Sequence, residues 1–350
     1  MTETFRYRHR SEIERTEWDA LADSSSEAWL WHRSDFIDAQ LTWPGRHDVS
    51  FGVFDADDAL CAVMPMWCAN ARMLRVMQRR YMRSAGLACA PGLAPIKRRE
   101  LCESVAEYLT NLLEEEDAEH LGVSLSPLAP CVRPPNTPRT NPLFAVGLAN
   151  ASIETWMVDL SQPADKIRKR YTDRARRSLR RAARSDHKLR PAAGCRDLET
   201  YYGLHCDTFT RSGGDIEPFD YYRIIFERFV PAGLSRLLFF ERDGRVIAGH
   251  NTAIYKDAAH YWTGASLPEP DGANHTLFDN QIIAAREHGC AIYETGEACI
   301  NRGDAKEQGM SEYKRSFGAE LMPFYGGRMH SSHLKHRLYR AARELAGRED

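Results

Sequence analysis

The sequence lacks most features that announce a chemistry by themselves. No apolar run approaches the ~18 residues a membrane-spanning helix needs, and the N-terminus MTETFRYRHR has no apolar signal core. A cytoplasmic protein is the expectation. The nine cysteines, Cys61, Cys68, Cys89, Cys102, Cys131, Cys195, Cys206, Cys290 and Cys299, are odd in number and include no Cys-x-x-Cys pair. That argues against a disulfide framework and a zinc site, and no metal is expected. Several sit inside apolar patterns, as small core residues do. Cys299, in a polar stretch, is the thiol to watch, although no histidine lies close in sequence to activate it. No Ser-His-Asp order and no P-loop stands out.

What is present describes a soluble globular chain, with 43% hydrophobic and 27% charged residues. At 350 residues it is too long for one ordinary core. Two domains are therefore expected, 1–150 and 151–350. In the first, Trp18, Leu21 and Ala22 mark a short helix, and Ser34 reads as the N-cap of a second through Phe36, Ile37 and Leu41. Strands are predicted at 49–54, 59–67 and 122–125, and a helix at 98–116 with Leu101, Val105, Leu109, Leu112 and Leu113 as its stripe. The proline-rich stretch 127–142 reads as the connection between the halves. Trp29, Trp31 and Trp43 read as core and groove-lining residues.

The last third carries the pattern that organises the chain. Three antiparallel strands are predicted at 237–240, 246–255 and 258–266, the first turn being Asp243-Gly244. A helix over 276–287 follows, with Leu277, Ile282, Ile283 and Ala285 apolar, and Gly289 just past its end. A short buried strand at 291–293, a polar loop at 294–304, a helix carrying Met310, Tyr313 and Phe317, and a final strand complete a mixed α/β sheet.

This order of elements, the signature SEYKRSFGAE and the upstream run FTRSGG with PFDYY resemble the second domain of the Fem-type (FemABX-like) aminoacyltransferases. These are double-domain members of the GNAT (Gcn5-related N-acyltransferase) superfamily. The resemblance is clearest over 160–325 and implies two tandem GNAT-like domains packed around a cleft, 1–150 being degenerate. It also implies N-acyl transfer by direct attack of an amine on a donor carbonyl, with no permanently bound cofactor. The co-substrate would be aminoacyl-tRNA, and the acceptor an amine of a peptide or small metabolite. The alternative is an acyl-CoA-dependent enzyme acting on an amino sugar or specialised metabolite. A third reading is a polyanion-binding protein on an inactive scaffold.

The donor choice rests on one loop. Acyl-CoA members usually place a glycine-rich Gln/Arg-x-x-Gly-x-Gly/Ala turn before the helix that receives the diphosphate. The equivalent stretch here, Pro270-Asp271-Gly272-Ala273-Asn274-His275, has one glycine, no preceding arginine and an acid, which weighs against CoA.

Residues 166–190 hold twelve Lys or Arg against Asp173 and Asp186, a charge of +10 in a chain of net −2. Ile167, Tyr171, Ala175 and Leu179 recur every four residues, so 163–190 is predicted as one basic amphipathic helix ended by Pro191. Arg168, Lys169, Arg170, Arg174, Arg177 and Arg181 are its candidate tRNA contacts.

Lys314 is the leading catalytic candidate. The resemblance places the lysine three residues before Phe317-Gly318 beside the reacting carbonyl, where an ammonium stabilises the oxyanion. His250 is the candidate base, its unperturbed pKa being near 6.5. His250 and Asn251 lie on one strand and His260, Tyr261 and Trp262 on its partner, so alternation lets only one of each neighbouring pair face a cleft. Arg211 matches a position where relatives often have an arginine. Tyr222, Tyr255, Asn274, Glu297, Lys306, Tyr313 and Phe317 are further candidates for lining the donor or acceptor site.

Overall fold

The computed structural model describes the chain from residue 5 to 333 apart from 74–76, 269–271 and 301, with backbone alone at 71–79. It divides into two compact units, Met1–Ser152 with Phe324–Asp350, and Ile153–Pro323.

The first unit holds helices α1 (Arg15–Ser24), α2 (Ser34–Gln40) and α3 (Pro95–Glu115). Its strands begin with β1 (Arg6–His9), β2 (Arg46–Asp48), β3 (Phe51–Phe54), β4 (Leu60–Met64) and β5 (Met66–Met73). They continue with β6 (Met77–Ser84), β7 (Ala88–Cys89), β8 (His120–Ser124) and β9 (Ala149–Asn150). The predicted strand at 59–67 is broken in two at Pro65, as a residue without an N–H requires. Arg33, not Ser34, is the N-cap of α2. One face of α3 buries Leu101, Val105, Leu109 and Leu113 in the same core cluster as Leu121 and Val123 of β8, the heart of this unit's core. Trp29 is fully buried while Trp31 is partly exposed.

The second unit contains β10 (Ile153–Asp159), α4 (Ala164–Lys169), α5 (Asp173–Ala182), β11 (Lys188–Pro191), α6 (Cys195–Ser212) and α7 (Phe219–Ile224). Next come β12 (Ser235–Arg242), β13 (Arg245–Tyr255), β14 (Ala258–Ser266) and α8 (Ala273–Glu287). The unit ends with β15 (Ile292–Ala298), α9 (Ala305–Arg315) and β16 (Glu320–Phe324). One mixed seven-stranded sheet runs β11-β12-β13-β14-β15-β10-β16. The chain then returns to the first unit as β17 (Gly326–His330), which lies between β8 and β9 and pairs antiparallel with both.

Several expectations are corrected here. The break between units falls at Ser152–Ile153, and the last strand leaves the second unit, because β17 pairs along all five residues of β8. The proline-rich stretch is no linker: Leu128, Ala129 and Val132 are buried within the first unit. The basic stretch is two helices and a strand. Thr172 caps a new helix by accepting from the Ala175 N–H at 3.3 Å, and 188–191 pairs with β12. Finally, β15 extends to Ala298, so Glu294 to Glu297 are strand residues, not loop.

Candidate active site

The central strands separate. Parallel β14 and β15 are in register only over Ala258–Ile292, Ala259–Tyr293 and His260–Glu294, and past that point each stays paired with its outer neighbour, β13 or β10. A wedge opens, and the last registered pair, His260 and Glu294, sits at its apex. A bulge between Asn251 and Thr252 resets the alternation of β14, so Asn251, His260 and Thr263 share one face and His250, Thr252 and Tyr261 the other.

At the apex, Glu294 has a side chain only 5% exposed and lies 2.9 Å from His260 Nδ1. Its other oxygen accepts from Thr155 Oγ1 at 2.7 Å. Burial alone would raise its pKa, but His260, Thr155 and Lys314 outweigh that and hold it below the usual glutamate range. A buried, ionised carboxylate paired to a part-exposed imidazole results. Glu294 is a residue the sequence reading assigned to a loop.

Lys314 comes from α9. This helix is anchored at its start by Asp304, whose carboxylate accepts from the Lys306 and Glu307 N–H groups in a capping box with Glu307. Ser311 ties it to the sheet, accepting from Trp156 Nε1 at 2.9 Å and the Cys299 N–H at 3.0 Å. The lysine's stem then lies across Gly296: a Cβ built there would fall 2.7 Å from Nζ and 3.1 Å from Cε. Gly296 also has φ +114°, a backbone region that favours glycine. Burial lowers the Lys314 pKa, while Glu294 and Glu297 oppose that. Among the described residues the ammonium makes no hydrogen bond, so its donors stay available.

Other candidates fall into three groups. Glu297 pairs with Arg302 at 2.9 Å. On the His260 face, Tyr222 bonds His205 Nδ1 at 3.1 Å, His205 Nε2 meets Glu217 at 2.7 Å, and Trp262 donates to Tyr221 at 3.0 Å. Arg211 donates to the Ser266 carbonyl at the end of β14, and Lys306 donates to Ser212 at the end of α6. These two arrange backbone at the open end of the wedge.

The remainder lie away from the apex. Tyr255 is opposite Ala258, at the closed end of the β13–β14 pair. Asn251 is buried and accepts from Ser235 Oγ. His250 is 2% exposed, packs its ring on Tyr261 and Phe278, and bonds Asn274 at 3.1 Å. Burial depresses its pKa to about 3, so at neutral pH it is an uncharged imidazole enclosed on the face away from His260. Tyr313 and Phe317 join that same α8-side aromatic cluster with Phe278, whereas Met310 is 50% exposed. Burial raises the Cys299 thiol above its ordinary value, which disfavours a thiolate.

The start of α8 is tightly covered. A Cβ on Gly272, the N-cap, would lie 2.7 Å from the Ser178 carbonyl oxygen of α5. Pro270 and Asp271 lie outside the described residues. Along α4 and α5, Arg168 is bound bidentately to Asp279, Arg170 pairs with Glu320, and Lys169 reaches Asp165 at 3.9 Å. Arg174, Arg177 and Arg181 are exposed and have no carboxylate partner among the described residues.

One set of metal-capable ligands occurs among the described residues, His47, Cys68 and Glu116 in the first unit. Arg80 already supplies a cation there, donating to Glu116 at 2.6 Å and lying 3.3 Å from His47 Nε2.

The family model for the acetyltransferase (GNAT) domain matches residues 168–315, the segment that builds the wedge. The second unit is a GNAT-type acyltransferase domain. Solved structures similar to the whole chain carry the same two-domain fold. FemX has a TM-score of 0.67 at 14% identity, covering 96% of this chain and 99% of FemX. L-PGS from Bacillus licheniformis has 0.56 at 12% identity, covering 95% and 97%. A tandem GNAT protein from the clavulanic acid biosynthesis pathway has 0.53 at 13% identity, covering 93% and 98%. At these identities the likeness is one of fold. No curated protein matches the chain in sequence. Through this GNAT domain the chain is an acyl-group-transferring enzyme, and it resembles FemX in fold; among its described residues no helix is long and apolar enough to cross a membrane.

Proposed function

We propose that this GNAT domain transfers an aminoacyl group from aminoacyl-tRNA to an amine of a peptide or small metabolite, forming an amide. The observation that carries the reading is the apex of the wedge, where the Lys314 ammonium lies near the His260–Glu294 pair. The ionised Glu294 carboxylate faces the His260 Nδ1–H and leaves Nε2 as the nitrogen that can take a proton. The acceptor amine attacks the donor ester carbonyl, its C–N bond forms, and the carbonyl oxygen becomes an oxyanion beside Lys314. His260 Nε2 takes the proton from nitrogen and returns it to the ribose oxygen as the ester C–O bond breaks. Burial of the lysine works with this role, because a charge held out of water interacts more strongly with the charge that develops.

Two further observations favour tRNA as the donor. Exposed Arg174, Arg177 and Arg181 form a row suited to phosphates, and the covered start of α8 gives a diphosphate less access to that helix end. Fem-type neighbours point the same way. A second reading, acyl-CoA-dependent transfer to an amino sugar or specialised metabolite, is favoured by the acetyltransferase family that matches 168–315.

A thermal-shift comparison separates the two. A ligand at 100 times its Kd stabilises the fold by ~2.7 kcal/mol. The tRNA reading expects a rise in Tm with charged tRNA that weakens when the aminoacyl ester is hydrolysed. A rise with acetyl-CoA or another acyl-CoA, and none with charged tRNA, replaces it with the second reading.

A further inference from the structure

The six-stranded sheet of the first unit carries an unusual row of side chains. Register sets Trp67 of β5 beside Arg83 of β6, Arg83 beside Gly122 of β8, and Gly122 beside Arg328 of β17. Four neighbouring strands thus present Trp, Arg, Gly and Arg on one face. The glycine makes room for the arginine: a Cβ at Gly122 would fall 2.2 Å from Arg83 Nη1, so the guanidinium lies over bare backbone.

Above this row is a cavity of about 400 Å³, within the range of small-molecule sites. Trp31, Phe36, Trp67, Tyr81 and Phe324 supply its aromatic walls, and no acidic side chain is among its lining residues. Arg46 stacks over Trp67 at 5.5 Å, and Arg83 lies over the Tyr81 ring at 5.4 Å. Arg83 is exposed, and among the described residues it makes no hydrogen bond and meets no carboxylate. The Trp67 indole N–H is a second donor without an acceptor, and it is buried. Buried donors are normally paired. Protein packed around the Arg83 guanidinium and the like charge of Arg328 lower its pKa, a cost that a bound anion would relieve.

We propose that this cavity binds an organic anion, its carboxylate or phosphate held by Arg83 and its planar ring lodged among Trp31, Trp67 and Tyr81. An arginine fork above a glycine suits either anion bidentately, and aromatic walls suit a flat body. The site lies entirely in the first unit, and its ligand is independent of the donor used by the second.

The test is isothermal titration of the full chain with indole-3-acetate and with phenyl phosphate, which separate the carboxylate from the phosphate form. Indole-3-ethanol and phenol serve as neutral counterparts. At least one anion binds at least tenfold tighter than its neutral counterpart, and the preference shrinks as salt rises. Arg83→Gln removes no hydrogen bond or ion pair among the described residues, keeps a Tm close to wild type and loses that tenfold. Gly122→Ala retains the charge but pushes the guanidinium aside, and weakens the anion as well. Equal binding of anion and neutral ring, an Arg83→Gln variant with wild-type affinity, or no heat from either anion at millimolar concentration each overturns the proposal.

Discussion

Replacing Lys314 by methionine removes one charge while keeping an unbranched stem over Gly296. The lysine makes no hydrogen bond among the described residues and its burial carries a desolvation cost. Glu294 retains Thr155 and His260 after the change. Stability should therefore move by no more than ~1 kcal/mol, a Tm shift of roughly 2–4 °C for a domain of this size. Catalysis should respond far more. A fixed donor aimed at a developing oxyanion contributes about 10²- to 10³-fold in kcat, or roughly 2.7–4 kcal/mol. The assay is formation of a labelled amide from charged tRNA and a panel of amines, with kcat followed by mass spectrometry and Tm by calorimetry. A fall in kcat with KM and Tm nearly unchanged agrees with the proposed role. A kcat within threefold of wild type would refute it. So would an activity loss accompanied by a Tm fall of tens of degrees, which would assign Lys314 to folding alone.

Gly296→Ala should cost roughly 1–3 kcal/mol of stability, from its positive φ and the clash with Lys314 Nζ, and should also lower kcat. Urea unfolding separates the two effects. His250 and His275, depressed to about 3 and about 4, are neutral in the folded chain but titrate near 6.5 when unfolded. The unfolded chain binds more protons between those values, so their stabilisation is complete above ~pH 6.5 and is lost progressively as pH falls. Equilibrium unfolding across pH 4–7 should show that slope, and His250→Asn should flatten it even where overall stability drops. Alanine at Arg174, Arg177 and Arg181 together should reduce the log–log salt slope of tRNA binding by roughly two to three, at 0.7–0.9 per phosphate. Arg168→Ala should instead act mainly on stability, because its guanidinium holds Asp279.

Particular residues explain which parts of this were legible in the sequence. The β12–β13–β14 meander was plain, because apolar runs separated by tight turns have few other solutions. Strand β15 was only half visible: Glu294 and Glu297 broke the apolar pattern at the point where the strand borders the wedge. A loop was inferred where the site's own carboxylate stands. The signal was available, since Glu294-Thr295-Gly296-Glu297 directly continues the apolar run that ends at Tyr293. The basic stretch misled for the opposite reason. Its four-residue apolar spacing holds across the break, and Ile167, Tyr171 and Ala175 are all buried, so periodicity could not reveal two helices. The Thr172-Asp173 cap was the better guide. His250 and His260 were indistinguishable by composition, and only the bulge at Thr252, invisible to simple alternation, separates their environments.

The position of β17 bears on how the protein is made. The strand fills the gap between β8 and β9, yet it is translated after the whole second unit. A ribosome that has released residues 1–152 has delivered a first unit missing an interior strand, with β8 and β9 exposing unpaired backbone edges. The second unit, contiguous from Ile153 to Pro323, has no such debt and can close first. The first unit's sheet can therefore be completed only after the second unit has been synthesised, and until then the edges of β8 and β9 are open to edge-to-edge association. The same topology means that a fragment cut at Ser152 is an incomplete domain, while one comprising Ile153–Pro323 keeps every strand of its sheet.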